Sequence, residues 1–324
     1  MTTLSIIIPA WNEAPVIGQT LQKILEVRYD KTKLEVIVVA GGTDNTYEIA
    51  TGLAKSMEGV SRYLVLKQRP GGKNAAIQEG VKEVRNSIIV LLDGDTSLTK
   101  ESLEQLVLPL EREKCDLAIA NPIPARRTWV SEYYMISKEY YLEQITSYPG
   151  TAMAVRTELI RGQPDYFFER NVRVGVDYLL AKRLQKEGKK VLFVPQAKVI
   201  TWIPSSLRHY YLNDLRWLTA YITLDGLKWS ALGINLGILA ALALLIPFST
   251  WSFTLGVLAH AAYLCKKGNV FWTVLRRGRT KLIYLPGFLV LSYLHHLIGL
   301  MAHIRYFSGS GRQLMLRQGQ RPPA

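Results

Sequence analysis

Acidic residues run out at Asp225: no Asp or Glu follows it in a chain of 324 residues. The 99 residues beyond that point carry 11 Lys or Arg, so +11 of the formal net charge of +14 belongs to them. The first 225 residues hold 29 basic against 26 acidic groups, nearly balanced at +3. Basic side chains interleaved with long apolar runs describe a membrane-bound tail, not a basic soluble face, so the charge excess does not point to nucleic acid. Cysteine is scarce too. Cys115 and Cys265 build no disulfide framework and require no oxidising compartment. The N-terminus has no basic stretch ahead of its short apolar run, which ends at Pro9, so it lacks the form of a signal peptide. With 48% hydrophobic and 20% charged residues, the chain is neither disordered nor collagen-like, and its length suits about two domains.

What the first two thirds do contain is alternation. Apolar, β-branched runs at Leu4 to Ile8, Glu35 to Val39, Ser61 to Leu66, Ser87 to Leu92, Leu117 to Ala120 and Val191 to Val194 have the look of strands buried on both faces. Helical spacing separates them at Gly18 to Val27, Thr46 to Lys55, Asn74 to Val84, Lys100 to Glu113 and Asp177 to Glu187. Alternation of this kind predicts an α/β fold with a mostly parallel sheet, whose ligands gather at the carboxyl ends of the strands. After Trp229 the pattern changes. Thirty-seven residues to Cys265 carry no full charge, interrupted by Pro247, Ser249 and Thr250, and Leu282 to Ile304 gives 23 more. A spanning helix needs about 20 apolar residues, so the first run reads as a hairpin of two short spans. The expected organisation is a catalytic domain over residues 1–225, with 201–228 as an interfacial helical region, then a membrane domain over 229–324. Its hydrophobic segments are 229–248, 250–265 and 282–304, and its basic loop is 266–281, which the positive-inside tendency assigns to the cytosol. The same tendency disfavours moving Arg305, Arg312, Arg317 and Arg321 to the far side, so 282–304 either spans or re-enters. His295-His296 within that segment reads as a polar seam between helices.

Five constellations carry chemistry. Pro9-Ala10-Trp11-Asn12-Glu13 follows the first strand and reads either as a base-stacking rim or as a helix-entry turn capped by Asn12. Ile89-Val90-Leu91-Leu92 ends in Asp93-Gly94-Asp95, two carboxylates at a strand tip that suit a hard cation, or a plain Asp-Gly turn. Gly71-Gly72-Lys73 enters a helix as an anion-friendly site, but Asn74 stands where a P-loop has Ser or Thr. Asp177 opens a helix, as a general base or as a favourable first-turn acid. Asn213-Asp214-Leu215-Arg216-Trp217 sits in an aromatic stretch and offers a phosphate-gripping guanidinium, an interfacial helix, or both.

In this order, with Thr43-Asp44-Asn45-Thr46 added, the set resembles the family 2 glycosyltransferases of the GT-A fold, in their membrane-associated branch, over residues 4 to 225. The resemblance implies a Rossmann-like sheet domain and transfer of a sugar, with inversion, from a nucleotide-diphosphate sugar. It places Pro9, Ala10, Trp11, Glu13, Asp44, Lys73 and Asp93 in donor binding, and Asp93 and Asp95 as the DxD pair for Mg2+ or Mn2+. Asp177 matches the catalytic base, and Arg216 and Trp217 match the end of a (Q/R)xxRW motif with Asn213 in first place. One base suffices because a diphosphate leaves without being protonated, unlike the group expelled in glycoside hydrolysis. Three positions depart from the pattern: Ala40-Gly41 where acids usually follow the second strand, Val176 before the base, and Asn213. The expected partners are the donor, a lipid or glycan acceptor and membrane lipids, with no nucleic acid. The expected location is a multi-pass membrane protein with its catalytic domain on the cytosolic side. The leading expectation is transfer to a polyprenyl phosphate or lipid hydroxyl. Alternatives are a polysaccharide synthase of the same family and a non-enzymatic scaffold that no longer binds donor.

Overall fold

The computed structural model describes residues 2–143, 150–170, 172, 175–244, 250–278 and 280–309. Pro247, Ser249, Arg279, Arg312, Arg317 and Arg321 lie outside the described residues. The chain forms two compact units, Met1–Ala125 with Leu142–Trp202, and Arg126–Tyr141 with Ile203–Ala324.

The first unit is built on β1 (Leu4–Trp11), α1 (Ile17–Glu26), β2 (Leu34–Gly41), α2 (Thr46–Gly52), β3 (Arg62–Lys67), α3 (Gly72–Glu83), β4 (Ile88–Leu92), β5 (Ser97–Leu98), α4 (Ser102–Glu111) and β6 (Leu117–Pro124). Helix α5 (Trp129–Glu143) belongs mainly to the second unit. Then β7 (Ala152–Arg156), α6 (Thr157–Arg161), α7 (Pro164–Phe167), α8 (Val176–Lys186) and β8 (Val191–Thr201) complete the first. One eight-stranded sheet runs β3-β2-β1-β4-β7-β6-β8-β5. The pairs β1–β2, β1–β4, β2–β3 and β6–β8 are parallel; β7 runs antiparallel to both β4 and β6, and β5 to β8.

Ile6, Ile7 and Ile8 are all fully buried because helices cover both faces of β1, which is why the strand reads as a continuous apolar run. In α1, Ile17, Leu21 and Ile24 at i, i+4 and i+7 are fully buried, each contributing about 1.5–3 kcal/mol of hydrophobic stabilisation. Strand β1 continues to Trp11, past Ile8. Pro9 is tolerated within it because the β1–β4 ladder stops at the Ile7↔Leu91 rung, so part of the missing donor capacity faces no partner strand. Neither β5, β7 nor α5 was anticipated by the alternation.

The second unit is helical: α5, α9 (Leu207–Asp225), α10 (Trp229–Ala243), α11 (Thr250–Arg276) and α12 (Leu285–Phe307). Its core joins Tyr133 of α5, Tyr210 and Leu215 of α9, Phe271 of α11, and Phe288 and Leu291 of α12. Polar bonds also cross it. His295 Nδ1 lies 2.7 Å from Asp214 Oδ2, and His296 Nδ1 lies 2.8 Å from Asn235 Oδ1. Within the basic stretch expected at 266–281, α11 carries the chain in helical form through Lys266 and Lys267 to Arg276, where no proline interrupts it. The apolar run from 229 yields α10 of 15 residues, about 22 Å long and short of a hydrocarbon core of about 30 Å. Among the described residues, one stretch is long and apolar enough to cross a membrane, Leu282–Phe307, with mean hydropathy 1.5. Large apolar side chains on these helices point outward, Trp251 of α11 at 81% exposure and Trp229 of α10 at 70%.

Gly80 faces β1 from α3. A Cβ there would lie 2.6 Å from Cγ2 of Ile7, itself fully buried. Gly→Ala in a helix interior ordinarily stabilises by about 1 kcal/mol, whereas overpacking costs about 1–3 kcal/mol. Gly80→Ala is expected to lower the thermal unfolding midpoint, and the same change in an Ile7→Ala background to raise it. A rise in both backgrounds refutes the close approach.

Candidate active site

The buried strand β4 delivers Asp93 at its tip, and the turn that follows is tied down from three sides. Asp93 N donates to Thr151 O (3.0 Å), Thr96 N donates to Asp93 O (3.0 Å), and Thr20 Oγ1 of α1 donates to Gly94 O (2.9 Å). A Cβ at Gly94 would lie 3.2 Å from the Ala10 Cβ and 3.3 Å from Pro9 O, so glycine lets this turn pack on the end of β1. Ala10 is correspondingly buried.

Lys73 comes from the first turn of α3, entered through Gly72 at φ +80°. Its Nζ donates to Asp93 Oδ1 at 2.5 Å. Asp177, in the first turn of α8 and 7% exposed, is close enough to act electrostatically on both. The Asp93 carboxyl is pushed up to about 6, chiefly by burial, with Lys73 opposing and Asp95 and Asp177 reinforcing the rise. Burial alone would lower Lys73, but Asp93, Asp177 and Asp95 more than offset it and hold the ammonium above its ordinary value. Three carboxylates around one ammonium leave excess negative charge, presented on hard oxygen donors. The carboxylates of Asp93 and Asp95 are hard donors of the kind Mg2+ or Mn2+ takes, while among the described residues no group of three or more His, Cys, Asp or Glu side chains is gathered to hold a metal ion.

Other groups serve this cluster without a clear mark in the sequence. Asn74 Nδ2 donates to the carbonyls of Glu169 (2.6 Å) and Val172 (2.8 Å), and Gln78 Nε2 to that of Phe168 (2.7 Å). Both side chains are buried, and they fasten the segment that leads into Asp177. Two polar residues at i and i+4 on a buried helix face were the available signal. Gly150 lies against Asp177: a Cβ there would come within 2.3 Å of the Asp177 Cβ and 2.7 Å of Oδ2.

The loops after β1 and β2 are laced together. Asn12, at φ +57°, accepts from Thr43 N through Oδ1 (2.7 Å). Asp44 accepts from Ala14 N through Oδ2 (3.1 Å), and from Thr46 N (3.1 Å) and Oγ1 (2.5 Å) through Oδ1. Glu13 N donates to Thr46 Oγ1 (2.7 Å). Asp44 therefore clamps the rim that presents Trp11 and Glu13, using both of its oxygens. Burial pushes its carboxyl up, but the bonds from Thr46 and Ala14 outweigh that and hold it below the usual range.

Asp93, Asp95, Lys73 and Asp177 thus come together in the first unit. Arg216 and Trp217 belong to α9 in the second. There Arg216 Nη2 donates to Asn213 Oδ1 (3.3 Å), Asn213 Nδ2 donates to Tyr134 Oη (3.2 Å), and Trp217 stacks on Tyr221.

The family model for glycosyl transferase family 2 matches residues 5–162, and that for glycosyl transferase family group 2 matches residues 88–292, well over half of the chain. The chain belongs to glycosyl transferase family group 2. It is 25% identical over 310 residues to an N-acetylglucosaminyltransferase of Mesorhizobium japonicum, covering 81% of this chain and 71% of that one. Over 118 residues it is 30% identical to a dodecaprenyl-phosphate galacturonate synthase of Rhizobium johnstonii, covering 36% and 35%. A mannosyltransferase of Pyrobaculum calidifontis, solved with GDP-Man and Mn2+, shares the fold at a TM-score of 0.60 and 19% identity, covering 94% of this chain and 87% of that one. The chain spans 54% to 73% of the length of the curated relatives that align along most of it. Within the family group match lie Asp93, Asp95, Asp177, Arg216 and Trp217 together.

For this glycosyltransferase family member the rim clamp gives a pH signature. A carboxylate held below its unfolded pKa of about 3.9 stabilises the fold above that value and loses the contribution as pH falls through the lower folded value. Asp44→Asn is expected to lower the unfolding midpoint at pH 7, with the gap to the parent protein closing toward pH 3. A gap independent of pH removes the carboxylate from the explanation.

Proposed function

We propose that this chain is a membrane-associated inverting glycosyltransferase that moves a sugar from a nucleotide-diphosphate donor to a lipid-type acceptor, a polyprenyl phosphate or a lipid hydroxyl. The observation that carries the reading is the convergence of Asp93, Asp95, Lys73 and Asp177 at one end of the sheet. Where the acceptor is a lipid hydroxyl, Asp177 takes its proton as that oxygen bonds to the anomeric carbon and the bond from that carbon to the diphosphate breaks; a polyprenyl phosphate attacks through an oxygen that is already deprotonated. The leaving group carries the electron pair away as a nucleoside diphosphate, and Lys73 and the Arg216 guanidinium offset its charge. Asp93 and Asp95 would hold a Mg2+ or Mn2+ ion, which would further stabilise the departing phosphates. Pro9, Ala10, Trp11, Glu13 and Asp44 form the rim taken by the nucleoside, and Trp217 walls the Arg216 site.

Membrane association is supported by the outward-facing apolar side chains of α10 to α12 and by the apolar stretch Leu282–Phe307. The further reading, with residues 229–248, 250–265 and 282–304 as hydrophobic segments and the catalytic part on the cytosolic side, rests on the basic residues between Lys266 and Lys281. An apolar helical unit on the same chain favours a lipid-borne acceptor, and the relative named for dodecaprenyl phosphate agrees. Polysaccharide synthesis is the second reading, favoured by the retained Arg216-Trp217 pair. Product sizing separates them, since a ladder of lengths requires a synthase and a single glycolipid requires the first reading.

With Mg2+ or Mn2+, a nucleotide-sugar panel and a lipid alcohol, Asp177→Asn is expected to keep donor binding while turnover falls about 10²–10⁴-fold. Retained turnover removes Asp177 as the base. Gly150→Ala is expected to reproduce that split, since its methyl group lands on the Asp177 carboxyl and not on the metal-facing pair. Arg216→Lys is expected to lower turnover about tenfold, because Lys keeps the charge but loses the two-pronged grip. Unchanged kinetics places the guanidinium outside the reaction.

A further inference from the structure

We propose that Lys73 is a built-in counter-cation that competes with a divalent metal for Asp93, so that metal binds tightly only when a diphosphate draws the ammonium away. The inference rests on the reading of Asp93 and Asp95 as metal ligands. Lys73 Nζ sits on Asp93 Oδ1 at 2.5 Å, with the two side chains 32% and 28% exposed, so the pair is sheltered from solvent. Both backbones are fixed. Asp93 is held by β4 and its bond to Thr151 O, and Lys73 by α3, whose Asn74 and Gln78 are buried and bonded to the 168–172 segment. The ammonium therefore has little freedom except rotation of its own side chain.

A dication taking Asp93 as a ligand meets this ammonium at close range, and like charges a few ångströms apart in a partly buried site repel strongly. Metal entry and departure of Lys73 from Asp93 thus become one event. The ammonium that leaves needs another anion. Of the reactants, the donor diphosphate brings the negative charge, and Lys73 stands in the first turn of α3, where backbone N–H groups also favour an anion. Metal and diphosphate then bind with positive coupling, and by linkage each strengthens the other by the same factor. Asp95 and Asp177 keep the ammonium in place while no donor is present, because they add attraction without forming its short bond.

The test uses Mn2+ alone on the purified full-length protein, with free Mn2+ followed by electron paramagnetic resonance and folding by thermal melting. Lys73→Met is expected to bind Mn2+ about tenfold more tightly than the parent protein, because one repelling charge is gone. Lys73→Arg is expected to stay near the parent, and Asp93→Asn to bind most weakly. UDP or GDP is expected to raise Mn2+ affinity in the parent beyond the chelation measured without protein, and to raise it much less in Lys73→Met. Equal or weaker Mn2+ binding by Lys73→Met, with an unchanged melting midpoint, overturns the proposal while leaving Asp93 and Asp95 as ligands. If Lys73→Met does not fold, Lys73→Gln and the nucleotide effect in the parent decide by the same criteria. Absence of Mn2+ binding in every variant and in the parent overturns the metal reading itself, and this inference with it.

Discussion

Charge imbalance at the end of the parallel strands is the constraint around which the catalytic unit is arranged. A buried strand that ends in Asp93 puts a carboxylate where water is scarce, and Asp95 and Asp177 add to the same field. One ammonium, from Lys73, answers three carboxylates. Burial is the main cause that lifts Asp93 to about 6, and the carboxylates hold Lys73 above its ordinary value against the opposing effect of burial. Neighbouring features follow from keeping these groups in place: glycine at 94 and 150 for close packing, Thr20 and Thr151 on the turn, Asn74 and Gln78 on the approach to Asp177.

Residues that act through burial and alternation were legible in the sequence; those that act through close approach were not. β1, β2 and β4 are apolar runs because helices cover both of their faces, so their positions, and Asp93 at the tip of β4, could be placed from spacing, while β1 and β2 run on to Trp11 and Gly41. β7 escaped because Ala152–Arg156 is short, rich in alanine and inserted antiparallel between β4 and β6, where no alternating unit announces it. β5 is two residues long. Gly150 looked like any turn glycine after a proline, since what makes it matter is the Asp177 carboxyl lying where its side chain would be. Asp44 was grouped with the nucleoside contacts, but its oxygens are spent on Ala14 and Thr46, and it shapes the rim by holding two loops together.

The helical unit shows the same division. Its +11 charge and apolar runs announced a membrane-facing part, and the outward apolar side chains fit that composition. Helix ends did not follow from charge. Lys266 and Lys267 continue α11 because lysine is a good helix former, and a pair of charges marks a membrane boundary only where the backbone also turns. The family motif's Arg216 is steadied by Asn213, and Asn213 by Tyr134 of α5, a helix far away in sequence. Asparagine in the motif's first place is therefore accounted for by a local hydrogen bond that a single sequence does not display.

Ala40-Gly41, where the family usually has acids, has a packing cause. A Cβ at position 41 would stand 2.9 Å from the carbonyl oxygen of Gln68 and 3.2 Å from the Trp11 ring, and Gly41 faces Trp11 directly in the β1–β2 register. One residue later, Gly42 adopts φ +129°, with Asn12 Oδ1 2.1 Å from where its Cβ would be. Ala40 is fully buried, so an acid there would be driven into the core without a partner. The end of β2 has thus exchanged carboxylates for close contact with Trp11. The rim therefore presents an aromatic face and backbone groups ordered by Asn12 and Asp44 in place of carboxylates.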